Sequence, residues 1–104
     1  MPTATYGGRA VDVDNDGFLA NPDDWSRDLG VAIASADGIT LGDEHWKVID
    51  FARADYKEKG VSPGPRRITT GSGVNMKTLY QLFPKGPGKL IAKVAGIPKP
   101  KACL

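Results

Sequence analysis

Asp43-Glu-His-Trp-Lys-Val-Ile-Asp-Phe-Ala-Arg-Ala-Asp-Tyr-Lys-Glu-Lys59, followed by Gly60, is the stretch whose reading decides the fold class. Trp46, Ile49, Ala52 and Tyr56 recur at helical spacing and make one apolar stripe. Asp43 can cap a helix running from about Glu44 to Lys59, and Gly60 suits the position just past its end. A helix of this length sets the expectation of a mainly α domain.

Toward the N-terminus, Asn21 offers an N-cap, Pro22 suits the first helical position, and Asp23 and Asp24 complement the helix dipole. Trp25, Leu29, Ile33 and Ala36 follow at near-helical spacing, so one helix is expected up to Asp37-Gly38. Earlier still, Ala10 to Leu19 alternates around Asn15-Asp16-Gly17, and Asp-Gly supplies the positive φ of a tight turn. A small β-hairpin is predicted there.

Toward the C-terminus, Pro63, Pro65 and the glycines at 64, 71 and 73 allow one short helix, around Arg66 to Thr70. Asn75 can cap another, with Met76, Leu79, Tyr80 and Phe83 on its apolar face, ended by Pro84 and a Gly86-Pro87-Gly88 turn. Lys89 to Ala95 suits a last turn or two. Beyond Gly96, Ile97-Pro98-Lys99-Pro100 cannot be an ordinary helix interior. The expected architecture is therefore an orthogonal helical bundle with a small N-terminal β-hairpin, a helix-turn-helix-like element and an extended C-terminal arm: one domain over residues 1–96 and a mobile arm over 97–104.

At 104 residues the chain has room for one small domain, which excludes a multidomain enzyme with its own cofactor fold. The apolar runs at 29–36 and 90–97 are far shorter than the ~18 residues of a membrane span, and nothing resembles a secretory leader. A cytoplasmic location without membrane contact is expected by default. The net charge of +2 hides a division: residues 1–55 hold eleven acids and four bases, a net of −7, while residues 56–104 hold ten bases and one acid, a net of +9. Two readings stand: an anionic partner for the basic part, or mutual pairing across the folded surface.

Asp12-x-Asp14-x-Asp16-Gly17 has the ligand spacing of a calcium loop, yet Pro2 and Gly7-Gly8 replace the incoming helix such a loop needs. A hairpin turn is the expected use, and no metal site is predicted. His45, the single histidine, has no second ligand near it and reads as a surface or packing residue. The segment 73–85 resembles the turn and recognition helix of TetR-type repressors, with Arg66, Arg67, Lys77 and Lys85 available for phosphates. A DNA-binding regulator using residues 66–83 is accordingly the alternative function. Cys103, the only cysteine, cannot form an intrachain disulfide. Lys99 and Lys101 beside it favour thiolate, and six extended residues, 97–102, span up to ~20 Å.

Leu82-Phe-Pro-Lys-Gly-Pro-Gly-Lys89, continuing Lys93-Val-Ala-Gly-Ile-Pro-Lys-Pro-Lys-Ala-Cys-Leu104, resembles the C-terminal signature of the DsrC/TusE sulfur-relay family. Asp14-Asn-Asp-Gly-Phe-Leu19 with Trp25, Asp43-Glu-His-Trp46, and Ser62-Pro63 with Arg66 agree in order. The resemblance implies a small helical fold and an arm whose Cys103 carries sulfur as a persulfide. This is a sulfurtransferase in the broad sense of a carrier or protein co-substrate. It implies that Arg66 matches an arginine near which the arm folds, and that members serving dissimilatory sulfite reductase have a second cysteine where this chain has Ala92. The chain thus looks more like the single-cysteine TusE branch, which passes sulfur toward 2-thiouridine formation in tRNA. Lys85, Lys89 and Lys93 are expected to dock an acidic partner, with Arg66, Lys99 and Lys101 as further binding residues. The expected partners are a protein donor and a protein acceptor, within a relay complex, a tRNA thiolase or a sulfite reductase. No metal or organic cofactor is required, and a monomer or weak oligomer is expected.

Overall fold

Gly7 and Gly8, both at positive φ (+56° and +79°), make the two-residue turn that L side chains would strain. They join strands β1 (Thr3–Tyr6) and β2 (Arg9–Asp12), paired antiparallel with Ala4 opposite Val11. The computed structural model describes residues 2–101. The hairpin therefore exists, but it lies earlier than the predicted residues 10–19. Around Asn15-Asp16-Gly17 a single bridge, Val13 to Leu19, closes a tight loop. Asp14 organises that loop by accepting from the N–H groups of Asp16 (2.9 Å) and Phe18 (3.0 Å). Its carboxylate works as a turn former.

The helix expected from Asn21 to Ala36 divides in two. Asn21 caps only a 3-10 turn, Pro22–Asp24, and the chain is extended at Trp25. Ser26 then caps α1 (Arg27–Ala36), its Oγ accepting from the Leu29 N–H. Trp25 consequently leaves the predicted stripe, and Ala36 at the far end is exposed. Leu29, Ile33 and Ala34 supply the buried face of α1.

The long helix α2 spans Asp43–Lys59, with Gly42 in the cap position and Gly60 ending it at φ +75°. It buries Val48, Ile49, Ala52 and Asp55, while Trp46 and Tyr56 lie half-buried at the margins. Helix α3 (Pro65–Ser72) is longer than predicted because Pro65 starts it, and Gly73 ends it in the left-handed region. A three-residue turn leads to α4 (Met76–Leu82), capped by Asn75 as expected. Pro87 likewise belongs to α5 (Pro87–Ala95) and not to a turn, since proline at the first helical position is pre-set for it.

Helix α5 is the centre of the domain. It packs on α2 and α1, α3 packs on α2 and α4, and α1 covers β1. Ile49, Ile68, Leu79, Phe83, Ile91, Val94 and Ile97 are the large, fully buried side chains that fill the interior. The outcome is the mainly helical domain with an N-terminal hairpin that the sequence indicates. Among the described residues, no helix is long and apolar enough to cross a membrane.

Candidate functional site

The end of α5 and the chain leaving it are gripped by groups from three other segments. Gly96 ends the helix at φ +68°, where its missing side chain leaves room for Trp25: a Cβ there would stand 2.3 Å from the indole Cδ1. Trp25 Nε1 donates to the Val94 carbonyl at 2.9 Å. From α2, the Arg53 guanidinium lies 4.1 Å above the Trp25 ring and donates to the carbonyls of Ala95 (2.8 Å) and Pro22 (3.2 Å). Its partial burial pushes the Arg53 pKa down, against the opposing pull of Asp23. Ile97 is 1% exposed, its N–H donating to Ala92, and Ser62 Oγ donates to the Pro98 carbonyl at 2.5 Å. Packing on the body thus continues past Gly96, and Pro100 is also buried.

Ser62 lies just before the Pro63-Gly64 entry to α3, so the tail passes the helix whose first turn holds Arg66 and Arg67. The two arginines are used differently. Arg67 forms a bidentate pair with Asp55, at 2.8 Å from Nε and 2.7 Å from Nη2. These hydrogen bonds hold the Asp55 carboxyl below its usual pKa, against burial and with help from the charges of Arg67 and Lys59. The same bonds raise the Arg67 pKa, opposed by desolvation and aided by the charges of Asp55 and Glu58. Arg66 is exposed beside a cleft of about 440 Å³ formed with Phe51, Thr70 and Gly71, and its guanidinium has no partner among the described residues. A cation in the first turn opposes the helix dipole, so this position gives Arg66 no stabilisation from its own helix.

Lys85, Lys89 and Lys93 come together in a separate cleft of about 250 Å³, with Phe18, Ile39 and Leu90 as its apolar wall. Asp16 and Asp37 also line it, and Lys93 is 3.7 Å from Asp37. Lys99 and Lys101 are exposed on the tail. The predicted binding residues therefore fall into three places: the lysine cleft, the Arg66 cleft and the tail. Cys103 lies outside the described residues. Among the described residues, two ion pairs link the acidic and basic parts of the chain, Arg67–Asp55 and Lys93–Asp37. Most of the basic excess is consequently left unpaired on the surface.

His45 proves to be structural. Nδ1 accepts from the Gly42 N–H (3.1 Å) and Nε2 lies 3.1 Å from the Leu82 carbonyl, so the proton sits on Nε2. Its ring also meets Phe83 edge-on. No group of three or more His, Cys, Asp or Glu comes together for a metal among the described residues. Trp25, Arg53 and Ser62 were not predicted as tail contacts; Trp25 and Ser62 stand in blocks that carry the resemblance, whereas no local pattern singles out Arg53.

A family model described as DsrC like protein matches residues 5–104. The chain is 40% identical to the gamma subunit of dissimilatory-type sulfite reductase of Nitratidesulfovibrio vulgaris, over 100% of both chains. It is 42% identical to the sulfurtransferase TusE of Yersinia pseudotuberculosis, over 95% of this chain and 98% of that one. The oxidized gamma subunit of dissimilatory sulfite reductase from Archaeoglobus fulgidus has a similar structure, with a TM-score of 0.83 and 32% identity over 99% of this chain and 100% of that one. These likenesses lend the DNA-binding alternative no support. In α3 and α4, Ile68, Leu79 and the adjoining Phe83 are spent on the core, which accounts for the helix-turn-helix shape by packing.

Proposed function

The chain belongs to the DsrC-like protein family, and from that membership we propose that it is a sulfur-relay carrier, loaded with sulfur as a persulfide on Cys103. The observation that carries this reading is a likeness to both a sulfite reductase gamma subunit and a TusE sulfurtransferase that spans nearly the whole chain, with the family match running to residue 104. The thiolate of Cys103 attacks the terminal sulfur of a donor persulfide. A bond forms between Sγ and that sulfur, the donor's S–S bond breaks, and the donor leaves as a thiolate with the electron pair. No net oxidation occurs. An acceptor nucleophile then takes the outer sulfur and regenerates the Cys103 thiolate.

Ala92 leaves the chain with one cysteine, so release by an internal disulfide is closed and the sulfur has to go to a partner. This favours the TusE-like route, toward 2-thiouridine in tRNA. The chain that carries Cys103 is held to the body at Ile97 and Pro98, and Pro100 is buried as well. Cys103 lies five positions after Pro98. Arg66 attracts the anionic sulfur from the body side, and Lys99 and Lys101 favour it from the arm. Lys85, Lys89 and Lys93 dock an acidic face of the partner.

Incubation with a persulfide donor should add about 32 Da at Cys103, and Cys103→Ser should abolish the adduct. An unmodified wild-type protein alongside a competent donor refutes the reading. Raising salt should weaken partner binding through the lysine cleft; salt-independent binding refutes that part.

A further inference from the structure

Helix ends ordinarily leave their last carbonyls to water or to local capping bonds. At the end of α5, side chains distant in sequence take three carbonyls in or next to the tail: Trp25 takes Val94, Arg53 takes Ala95, and Ser62 takes Pro98. These three points bracket Gly96 and Ile97, where the chain changes direction. Gly96 cannot gain a side chain without striking Trp25, and Ile97 is sunk in the core. Arg53 is the link among them, since the same guanidinium stacks on Trp25, holds Ala95 and ties both to Pro22.

The grip fixes a path and leaves the thiol chemistry alone. We propose that Arg53, acting with Trp25 and Ser62, is a positioning group that sets the path on which the chain leaves α5 toward Cys103. This deepens the carrier reading and rests on it. Cys103 lies eight positions after Ala95 and five after Pro98, and Pro100 in between is buried as well. Losing the grip changes the path of the chain toward Cys103, and a displacement of about 1 Å at a reacting centre can cost roughly 100-fold.

The single cysteine permits a direct test on the full chain. A nitroxide attached at Cys103 broadens the amide resonances it visits, and glutathione persulfide reports loading by mass. In the wild type, broadening should concentrate on one patch of the body. Arg53→Ala should spread it and weaken it on that patch, while loading by glutathione persulfide stays within about twofold of wild type because the thiol itself is untouched. Arg53→Lys should fall between, keeping charge without the forked hydrogen bonds. Ser62→Ala should show a smaller spread, and it carries the test if Arg53→Ala fails to fold by circular dichroism. An unchanged broadening pattern in folded variants overturns the positioning role. Failure of wild-type Cys103 to load overturns the carrier reading instead.

Discussion

The molecule stacks an arginine on an indole twice, at the same 4.1 Å, and uses the two pairs differently. Arg27 over Trp46 lies on the outer face where α1 meets α2, with Asp50 as its ion-pair partner and both charged side chains more than half exposed. Arg53 over Trp25 spends its remaining donors on backbone carbonyls, and the indole is wedged against Gly30 and Gly96. Ring geometry alone therefore does not measure such a pair. What counts is whether the flanking donors meet groups that water would otherwise serve as well.

Removing the rings should separate the two regions most. Trp25→Ala should cost about 3 kcal/mol, at the low end for a large core aromatic because the ring is half-buried, whereas Trp46→Ala should cost about 1 kcal/mol. Urea denaturation measures both, and equal losses would erase the contrast. Removing the cations comes next: Arg53→Ala should cost about 2 kcal/mol through its charged hydrogen bonds, and Arg27→Ala about 0.5 kcal/mol or less.

Asp55 with Arg67 sharpens the comparison by supplying a cation on a buried acid. Since the folded pKa of Asp55 is depressed, its stabilisation is fully present above the unfolded value and is lost as pH falls through the folded one. Asp55→Asn should therefore be less stable than wild type near pH 7, with the gap closing in acid. A gap that stays constant down to pH 2 would contradict the pairing. The smallest effect concerns salt: 0.5 M NaCl should screen the contribution of Arg27 and leave that of Arg53 nearly unchanged, read as the salt dependence of each variant's melting temperature.

Much of the helical order was legible. The stripe of α2, the caps at Asn75 and Gly60, and the breaks at Gly73 and Pro84 are local signals, each read from a few neighbouring residues. The misreadings have local causes too. Gly7-Gly8 and Asn15-Asp16-Gly17 are both good turn sequences, and choosing between them depends on which flanking strands find partners. Trp25 fits a helical stripe by spacing, but its hydrogen bond to Val94 pulls it out of the helix and leaves Ser26 to begin α1. Pro87 reads as a turn residue until a glycine at positive φ starts a helix in front of it.

By itself the sequence determined the helical class, the single thiol at position 103, the division of charge and the absence of a second cysteine at 92, because composition, spacing and residue identity do not depend on folding. Only the tertiary structure decided that Arg67 and not Arg66 pairs with Asp55, that His45 is consumed in capping and packing, and that Trp25, Arg53 and Ser62 meet at the root of the tail. Apart from the local bond between Gly42 and His45, those contacts join residues 12 to 69 positions apart. No periodicity within a helix or strand records a partner that distant; it is set when the packed core brings the elements together.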